Sequence, residues 1–136
     1  MVIIDKEATH MNTKKILVID DEANFCRVIK KSLELGGKFQ VSIATNGNDG
    51  IALAKTQKPD LILLDIMMPG LAGTEVAEEL LDDPDTTAIP IIFMTAIVRK
   101  DEVKKKGGIS GGRAFLAKPI NVDELIKKIN VRLTDT

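Results

Sequence analysis

The 136-residue sequence contains no tryptophan or tyrosine and four phenylalanines. Binding of single-stranded nucleic acid uses aromatic side chains on which bases stack, and this chain has few of them. The formal net charge is −1, and no basic patch with interleaved aromatic residues is visible. The composition therefore predicts that this domain has no nucleic-acid partner.

Cysteine and long apolar runs are also scarce. Cys26 is the single cysteine, so no intrachain disulfide can form, which favours a reducing, cytoplasmic location. No apolar run approaches the roughly 20 residues that a membrane-spanning helix needs. We therefore predict no membrane partner.

The length suits one compact domain with a substantial core. Residues 1–12 have the character of an N-terminal extension or tag, and residues 13–136 are predicted to form the domain. No DNA-binding or catalytic domain follows Leu133, which leaves open a stand-alone regulator or part of a longer protein.

Five short apolar runs predict five β-strands, at residues 16–19, 39–44, 61–64, 91–94 and 114–117. The first, third and fourth runs are continuous, which is typical of strands buried on both faces of a parallel sheet. The second alternates, with Val41 and Ile43 on one face, and this suits an edge strand.

Helical stretches separate the runs, at residues 24–35, 48–57, 74–81 and 99–106, and a last helix follows Asn121. The first carries Phe25, Val28, Ile29 and Leu33 at helical spacing. Asn121 and Glu124 have the spacing of a capping box. Alternation of strand and helix predicts a parallel sheet with right-handed crossovers and helices on both faces.

Two stretches near the end of the chain are less regular. The helix at 99–106 has one clear core residue, Val103, so it is either simply exposed or a movable surface. The glycine-rich stretch 107–112 is expected to be a flexible loop before the fifth strand. It lacks the Gly-Lys-Ser/Thr ending of a phosphate-binding loop.

Polar residues follow four of the predicted strands. They are Asp20 and Asp21 after the first, Asp65 after the third, Thr95 after the fourth and Lys118 after the fifth. In open α/β sheets the ligand crevice lies outside the carboxyl ends of the strands. We therefore expect three carboxylates, a hydroxyl and an ammonium to meet at one edge.

Clustered carboxylates repel one another, and a hard divalent cation removes the repulsion. Mg²⁺ prefers oxygen ligands and commonly binds one or two carboxylates plus a phosphate oxygen. Lys118 and Thr95 can then contact further phosphoryl oxygens, as phosphoryl transfer requires. Taken alone, Asp20 is as readily a helix cap and Lys118 a solvated side chain, so the prediction depends on their joint placement.

The ordered set of residues resembles the response-regulator receiver family of two-component signalling, and in particular chemotaxis-regulator-like domains. The resemblance covers about residues 14–133 and lies in residues 16–22, residues 65–70 with Gly73, Thr95-Ala96 and Lys118-Pro119. It implies an α/β fold of the flavodoxin-like (βα)5 type. This is a three-layer sandwich with a parallel five-stranded sheet of order 2-1-3-4-5.

The same resemblance implies a phosphoacceptor and a metal site. Asp65 matches the phosphoacceptor. Asp21, Asp65 and the backbone carbonyl of Met67 match the Mg²⁺ ligands, and Asp20 assists through water. Mn²⁺ is expected to substitute for Mg²⁺.

Further roles follow from the family. Thr95 and Lys118 match the residues that hold the phosphoryl group, and Thr95 and Phe115 match the switch pair. The Lys118-Pro119 peptide matches the family's cis bond. From the residues alone, Phe115 is equally well interpreted as a core residue of the fifth strand.

The implied partners are proteins. The phosphodonor is a sensor histidine kinase or a phosphotransfer protein. A downstream effector binds the surface of the fourth helix, fifth strand and fifth helix. The domain is expected to be a monomer or a weak phosphorylation-dependent dimer, and not an enzyme, although it assists its own phosphorylation and slow dephosphorylation.

Some positions depart from the family's common pattern. Arg113 argues against the symmetric dimer that Glu124 and Lys128 would otherwise suit. Met67 and Ile97 are apolar at positions that tune dephosphorylation in the family, so neither can orient a water molecule. We therefore predict a long-lived phosphoaspartate.

Two other functions use related features. A haloacid dehalogenase-type phosphatase also forms an aspartyl-phosphate, but its nucleophile lies in an Asp-x-Asp motif after the first strand, where this chain has Asp20-Asp21. A phosphorylation-independent interaction module would not need the complete set of Asp65, Thr95 and Lys118.

Overall fold

The computed structural model describes residues 13–96, 109–110 and 113–134. These residues form a six-stranded sheet of order β2-β1-β3-β4-β6-β5. The strands are β1 Lys14–Ile19, β2 Phe39–Ala44, β3 Leu61–Asp65, β4 Ile91–Thr95, β5 Ile109–Ser110 and β6 Arg113–Ala117. The five longer strands are parallel, so the predicted order 2-1-3-4-5 is confirmed, with β6 as its fifth strand.

The short strand β5 corrects one expectation. Ile109 pairs with Ala114 and Ser110 with Arg113 in antiparallel register, within the stretch expected to be a flexible loop. Those two residues extend the sheet beyond β6 because their backbone groups pair with it. The flanking positions 107–108 and 111–112 lie outside the described residues.

The helices within the described part are α1 Ala23–Glu34, α2 Gly47–Gln57, α3 Gly73–Asp82 and α4 Val122–Thr134. Each agrees with its predicted stretch to within one or two residues. The helix expected at 99–106 lies outside the described residues. No helix in the described ranges is long and apolar enough to span a bilayer.

Local signals account for the helix ends. Asn121 Oδ1 accepts a hydrogen bond from the Glu124 N–H (3.0 Å), which confirms Asn121 as the cap of α4. After α1 the chain turns at Gly37 with φ 73°, where a glycine adopts the left-handed region without strain. The predicted end of α1 at the glycine pair is therefore confirmed.

Alternate residues of each central strand enter two separate cores. Ile16 and Val18 of β1 pack on the face covered by α1 and α4. Leu17 and Ile19 pack on the other face, against α2 and α3. Because both faces of the sheet are covered, β1 is a continuous run of apolar residues. The domain therefore has three layers.

The buried stripe of α1 is narrower than its set of apolar residues. Cys26, Ile29 and Leu33 are buried, whereas Val28 is 61% exposed. Val28 thus belongs to the helical pattern but lies off the buried face. Val28 precedes Ile29 by one residue, about 100° around the helix, which turns it away from the sheet.

Candidate functional site

Parallel register brings the predicted polar residues to one edge of the sheet. Ile19 lies beside Leu64, Asp65 beside Met94, and Thr95 beside Ala117. Asp20 and Lys118 follow directly after β1 and β6. All four polar strand ends therefore lie at the same edge of the sheet, as expected from the sequence.

An acidic cluster occupies this edge. One carboxylate oxygen from each of Asp20, Asp21 and Asp65 lies within 4.8 Å of the others. Asp20 is fully buried and Asp65 is 4% exposed, whereas Asp21 faces solvent. Buried carboxylates at such distances need a compensating positive charge.

Lys118 supplies part of that charge. Its Nζ lies 2.8 Å from Asp20 Oδ2, 3.3 Å from Glu22 Oε1 and 3.7 Å from Asp65 Oδ2. Burial by itself would lower the pKa of Lys118, but the hydrogen bond from Lys118 to Asp20 and the charges of Asp20 and Asp65 outweigh it and raise the pKa. Lys118 is therefore firmly cationic at neutral pH.

Asp65 has an environment suited to a reactive carboxylate. Burial, followed by the nearby charge of Asp20, raises the pKa of Asp65, although Lys118 and the Met67 N–H act in the opposite direction. The Met67 N–H donates to Asp65 Oδ1 (3.2 Å) and fixes the orientation of the carboxyl group. Its Oδ2 is the oxygen that faces Lys118.

The loop after Asp65 is held close to the strand by glycine. Gly73 N–H donates to the Ile66 carbonyl (3.0 Å). A Cβ atom at Gly73 would lie 2.1 Å from the Asp65 carbonyl oxygen, a distance that no side chain can occupy. The start of α3 therefore packs directly on the backbone of Asp65, and residue 73 must lack a side chain.

Thr95 and Phe115 lie on neighbouring strands beside the cluster. Thr95 is buried, and its carbonyl accepts a hydrogen bond from the Lys118 N–H (2.9 Å). Phe115 is half-buried and its ring stacks on Phe93, with centroids 5.3 Å apart. The Lys118-Pro119 peptide is cis, as the resemblance implied.

Three neighbours of the cluster were not predicted from the sequence as site residues. Glu22 contacts the Lys118 ammonium, and the Phe25 ring lies beneath it, 4.5 Å from Nζ to the ring centroid. The thiol of Cys26 donates to the Asp20 carbonyl (3.3 Å). Glu22 caps α1 and the other two lie in its first turn, soon after Asp20-Asp21, and that proximity is the signal by which they could have been found.

The donor set is suited to a hard divalent cation. Asp20, Asp21 and Asp65 present converging carboxylate oxygens, and one ammonium leaves negative charge uncompensated. Mg²⁺ and Mn²⁺ prefer such oxygen ligands. The residues present therefore fit a magnesium ion, and the part of Met67 in holding it stays a prediction.

Comparison with known proteins identifies relatives over most of the chain. The family model described as response regulator receiver domain matches residues 16–130. The protein PilH of Pseudomonas aeruginosa is 41% identical over 121 residues, covering 88% of this chain and 97% of PilH. The polar-differentiation response regulator DivK of Brucella anthropi is 33% identical, covering 90% of this chain and 98% of DivK.

Solved structures agree with these relatives. A CheY-like response regulator receiver domain protein from Methanospirillum hungatei superposes with a TM-score of 0.75 at 28% identity, over 90% of this chain and 95% of that chain. Other relatives are longer. The match spans 50% of the Synechocystis transcriptional regulator RpaA and 23% of PleD of Caulobacter vibrioides.

Proposed function

Because the chain belongs to the response regulator receiver domain family of two-component systems, we propose that it accepts a phosphoryl group on Asp65. One observation carries the proposal. Oδ2 of the nearly buried Asp65 faces the Lys118 ammonium at 3.7 Å, inside the acidic cluster. The proximity of a nucleophilic oxygen and a positive charge supports the proposal, because both are needed to receive a phosphoryl group.

The transfer needs positioning more than covalent chemistry from the protein. A carboxylate oxygen of Asp65 forms a bond to phosphorus while the P–N bond of a phosphohistidine donor breaks, and the histidine ring keeps the electron pair. Lys118 moves its hydrogen bonds from Asp20 and Glu22 to a phosphoryl oxygen, and Thr95 contacts another.

A divalent cation completes the charge balance. Asp21, Asp65 and the Met67 carbonyl would hold Mg²⁺, with Asp20 assisting through water, and the ion would supply positive charge to phosphoryl oxygens. Asp20 already accepts hydrogen bonds from the Glu22 N–H and Lys118 Nζ, which suits a water-mediated role rather than direct ligation.

The donor in this proposal is a sensor histidine kinase or a phosphotransfer protein, and the exchange takes place in the cytoplasm. Thr95 moves toward the phosphoryl group, and Phe115 follows into the vacated space. The surface that includes β6 and α4 then binds an effector protein. The domain turns over no substrate, so it is a phosphoacceptor rather than an enzyme.

Acetyl phosphate provides a direct test. We expect incubation with acetyl phosphate and Mg²⁺ to add one phosphoryl group to the intact mass, and removal of Mg²⁺ with EDTA to abolish the gain. Asp65→Asn should abolish it as well. Asp82→Asn, at an exposed carboxylate at the end of α3, should leave it unchanged.

The same experiment separates the other functions. No gain in mass would favour a phosphorylation-independent interaction module. Steady hydrolysis of a phosphate ester that is lost in Asp20→Asn and kept in Asp65→Asn would favour a phosphatase. A gain that survives Asp65→Asn would contradict Asp65 as the acceptor.

A further inference from the structure

The Lys118 ammonium lies over the face of an aromatic ring as well as beside carboxylates. Its Nζ is 4.5 Å from the centroid of the Phe25 ring. An ammonium within about 6 Å of a ring centroid is attracted by the negative face of the ring. Phe25 therefore contacts the reactive lysine directly, from helix α1.

The ring is a rigid support. Phe25 lies in α1 and packs, half-buried, against the core between the sheet and helices α1 and α4. Phenylalanine has two side-chain torsions, whereas lysine has four, so packing fixes the ring far more easily than the lysine. The position of the ring thus limits where the ammonium can be.

The ring contact differs from the carboxylate contacts in what phosphoryl transfer does to it. Lys118 hydrogen-bonds to Asp20 at 2.8 Å and Glu22 at 3.3 Å, and must release such bonds to bind a phosphoryl oxygen. A ring face attracts the ammonium without demanding a particular N–H direction. The contact with Phe25 can persist while the hydrogen bonds are exchanged.

We propose that Phe25 is a positioning residue for Lys118, whose ammonium the ring face holds toward Asp65 during phosphoryl transfer. This inference rests on the proposed function. Phe25 carries no group that can bind a phosphoryl oxygen, so in this proposal it acts through Lys118. The competing explanation is that Phe25 only fills space in the core.

Fluorination separates the two explanations because it weakens the negative face of the ring and nearly preserves its shape. We propose phenylalanine, monofluoro-, difluoro- and trifluorophenylalanine at position 25, with phosphorylation by acetyl phosphate and Mg²⁺ followed by intact mass. The rate constant should fall stepwise with fluorination. The total loss should be about two- to fivefold, which corresponds to about 0.5 to 1 kcal/mol.

Natural substitutions provide matched controls. Phe25→Leu keeps an apolar side chain and removes the ring, and should slow phosphorylation by a similar factor. Phe25→Tyr keeps the ring and should retain the wild-type rate. Thermal unfolding of each variant identifies any loss that comes from the fold.

A spectroscopic readout reports the contact without any phosphorylation. The ring current of Phe25 should shift the ε-methylene protons of Lys118 upfield, and Phe25→Leu should abolish that shift. Exposed Lys31 on α1 serves as the reference lysine. Identical Lys118 resonances in the two proteins would contradict the contact.

The remaining outcomes are distinct. A phosphorylated wild type with a rate that does not depend on fluorination would overturn the inference alone. A wild-type chain that takes up no phosphoryl group would contradict the proposed function, and the inference with it.

Discussion

Asp20 and Lys118 form a buried ion pair between positions 98 residues apart in the chain, with Nζ 2.8 Å from Oδ2. The pair joins the end of β1 to the end of β6. Asp20 is fully buried, and its two carboxylate oxygens accept hydrogen bonds from this partner and from the Glu22 N–H. The two residues bind each other before any phosphoryl group or metal arrives.

Removal of the lysine should therefore destabilise the fold. We expect Lys118→Met to lower the free energy of unfolding by about 1 to 3 kcal/mol at pH 7, because it leaves buried carboxylates without a cation. Urea unfolding in EDTA measures the change. Lys31→Met, at an exposed lysine, is the control, and an equal effect of both variants would contradict the prediction.

Asp65→Asn should have the opposite effect. The pKa of Asp65 is raised, first by burial and then by the charge of Asp20. A raised carboxyl pKa means that the folded state binds the proton more tightly, so this group lowers stability as pH rises from its unfolded pKa through its folded pKa. At pH 7 the full penalty is present, and the variant removes it.

Without Mg²⁺, we expect Asp65→Asn to raise the free energy of unfolding by about 1 kcal/mol, or Tm by about 3 to 6 °C. The gain should shrink as the pH is lowered through the raised pKa of Asp65, because the carboxyl group then becomes neutral in the wild type. Thermal unfolding between pH 4 and 7 tests this. A variant less stable than the wild type at pH 7 would show that the contacts of Asp65 with Lys118 and Met67 dominate.

Gly73→Ala should be strongly destabilising. The added Cβ would lie 2.1 Å from the Asp65 carbonyl oxygen and 2.8 Å from the Ile66 Cα, and neither backbone atom can move cheaply. We expect a loss of about 3 kcal/mol, at the upper end for overpacking. Gly36→Ala, with no atom within 4 Å of its Cβ, is the control. Similar unfolding midpoints for the two variants would contradict the close approach.

Because of Glu34, the stability of the fold should depend on pH in the acid range. Burial raises the pKa of Glu34, but hydrogen bonds from the Val41 N–H (2.9 Å) and Lys30 (3.0 Å) outweigh it and lower the pKa. A carboxylate whose pKa is lowered by folding stabilises the folded state at pH values above its unfolded pKa. This stabilisation is lost as the pH falls through the folded pKa.

Glu34→Gln should cost about 1 kcal/mol at pH 7, with allowance for partial exposure, and should cost little near pH 3. Urea unfolding at both pH values measures this difference. Glu79→Gln, at an exposed site on α3, is the matched control. A cost that is the same at both pH values would contradict the assigned cause.

The phosphoaspartate should be long-lived. Met67 is 58% exposed and adjoins Asp65 through its N–H, and its side chain cannot orient a water molecule. We expect Met67→Asn to accelerate hydrolysis by roughly threefold to tenfold, or about 0.7 to 1.4 kcal/mol in the barrier. Met67→Leu should preserve the slow rate. A wild-type lifetime of only seconds in purified protein with Mg²⁺ would contradict the prediction.

Much of the fold is predictable from the sequence because both sheet faces are covered. Continuous apolar runs at β1, β3 and β4 therefore marked buried parallel strands, and the polar residues after them marked the site edge. The two-residue strand β5 was missed, since a pair of residues carries no recognisable period. The exposure of Val28 was not predictable, because apolar spacing does not specify how far around α1 the sheet extends.

The contacts of Lys118 with Glu22 and Phe25 were not predicted, although both residues follow Asp20-Asp21 closely in the chain. The contacts join positions far apart in the chain, and which side chain after β1 meets Lys118 depends on how α1 leaves β1. The grouping of Asp20, Asp65 and Lys118 was predictable because it needs only strand order and direction. Which of these residues pairs with which depends on the conformation of each side chain, and strand order does not determine that.

The buried thiol of Cys26, next to Asp20, can report on the occupancy of the site. Cys26 is the single cysteine and is fully buried, and burial, followed by the charge of Asp20, raises its pKa to about 11. A thiol reagent can therefore react only when α1 opens away from the sheet. The rate of labelling then measures how often α1 opens. Any ion or phosphoryl group that ties α1 to the strand ends should slow the reaction, so site occupancy can be followed without a fluorophore.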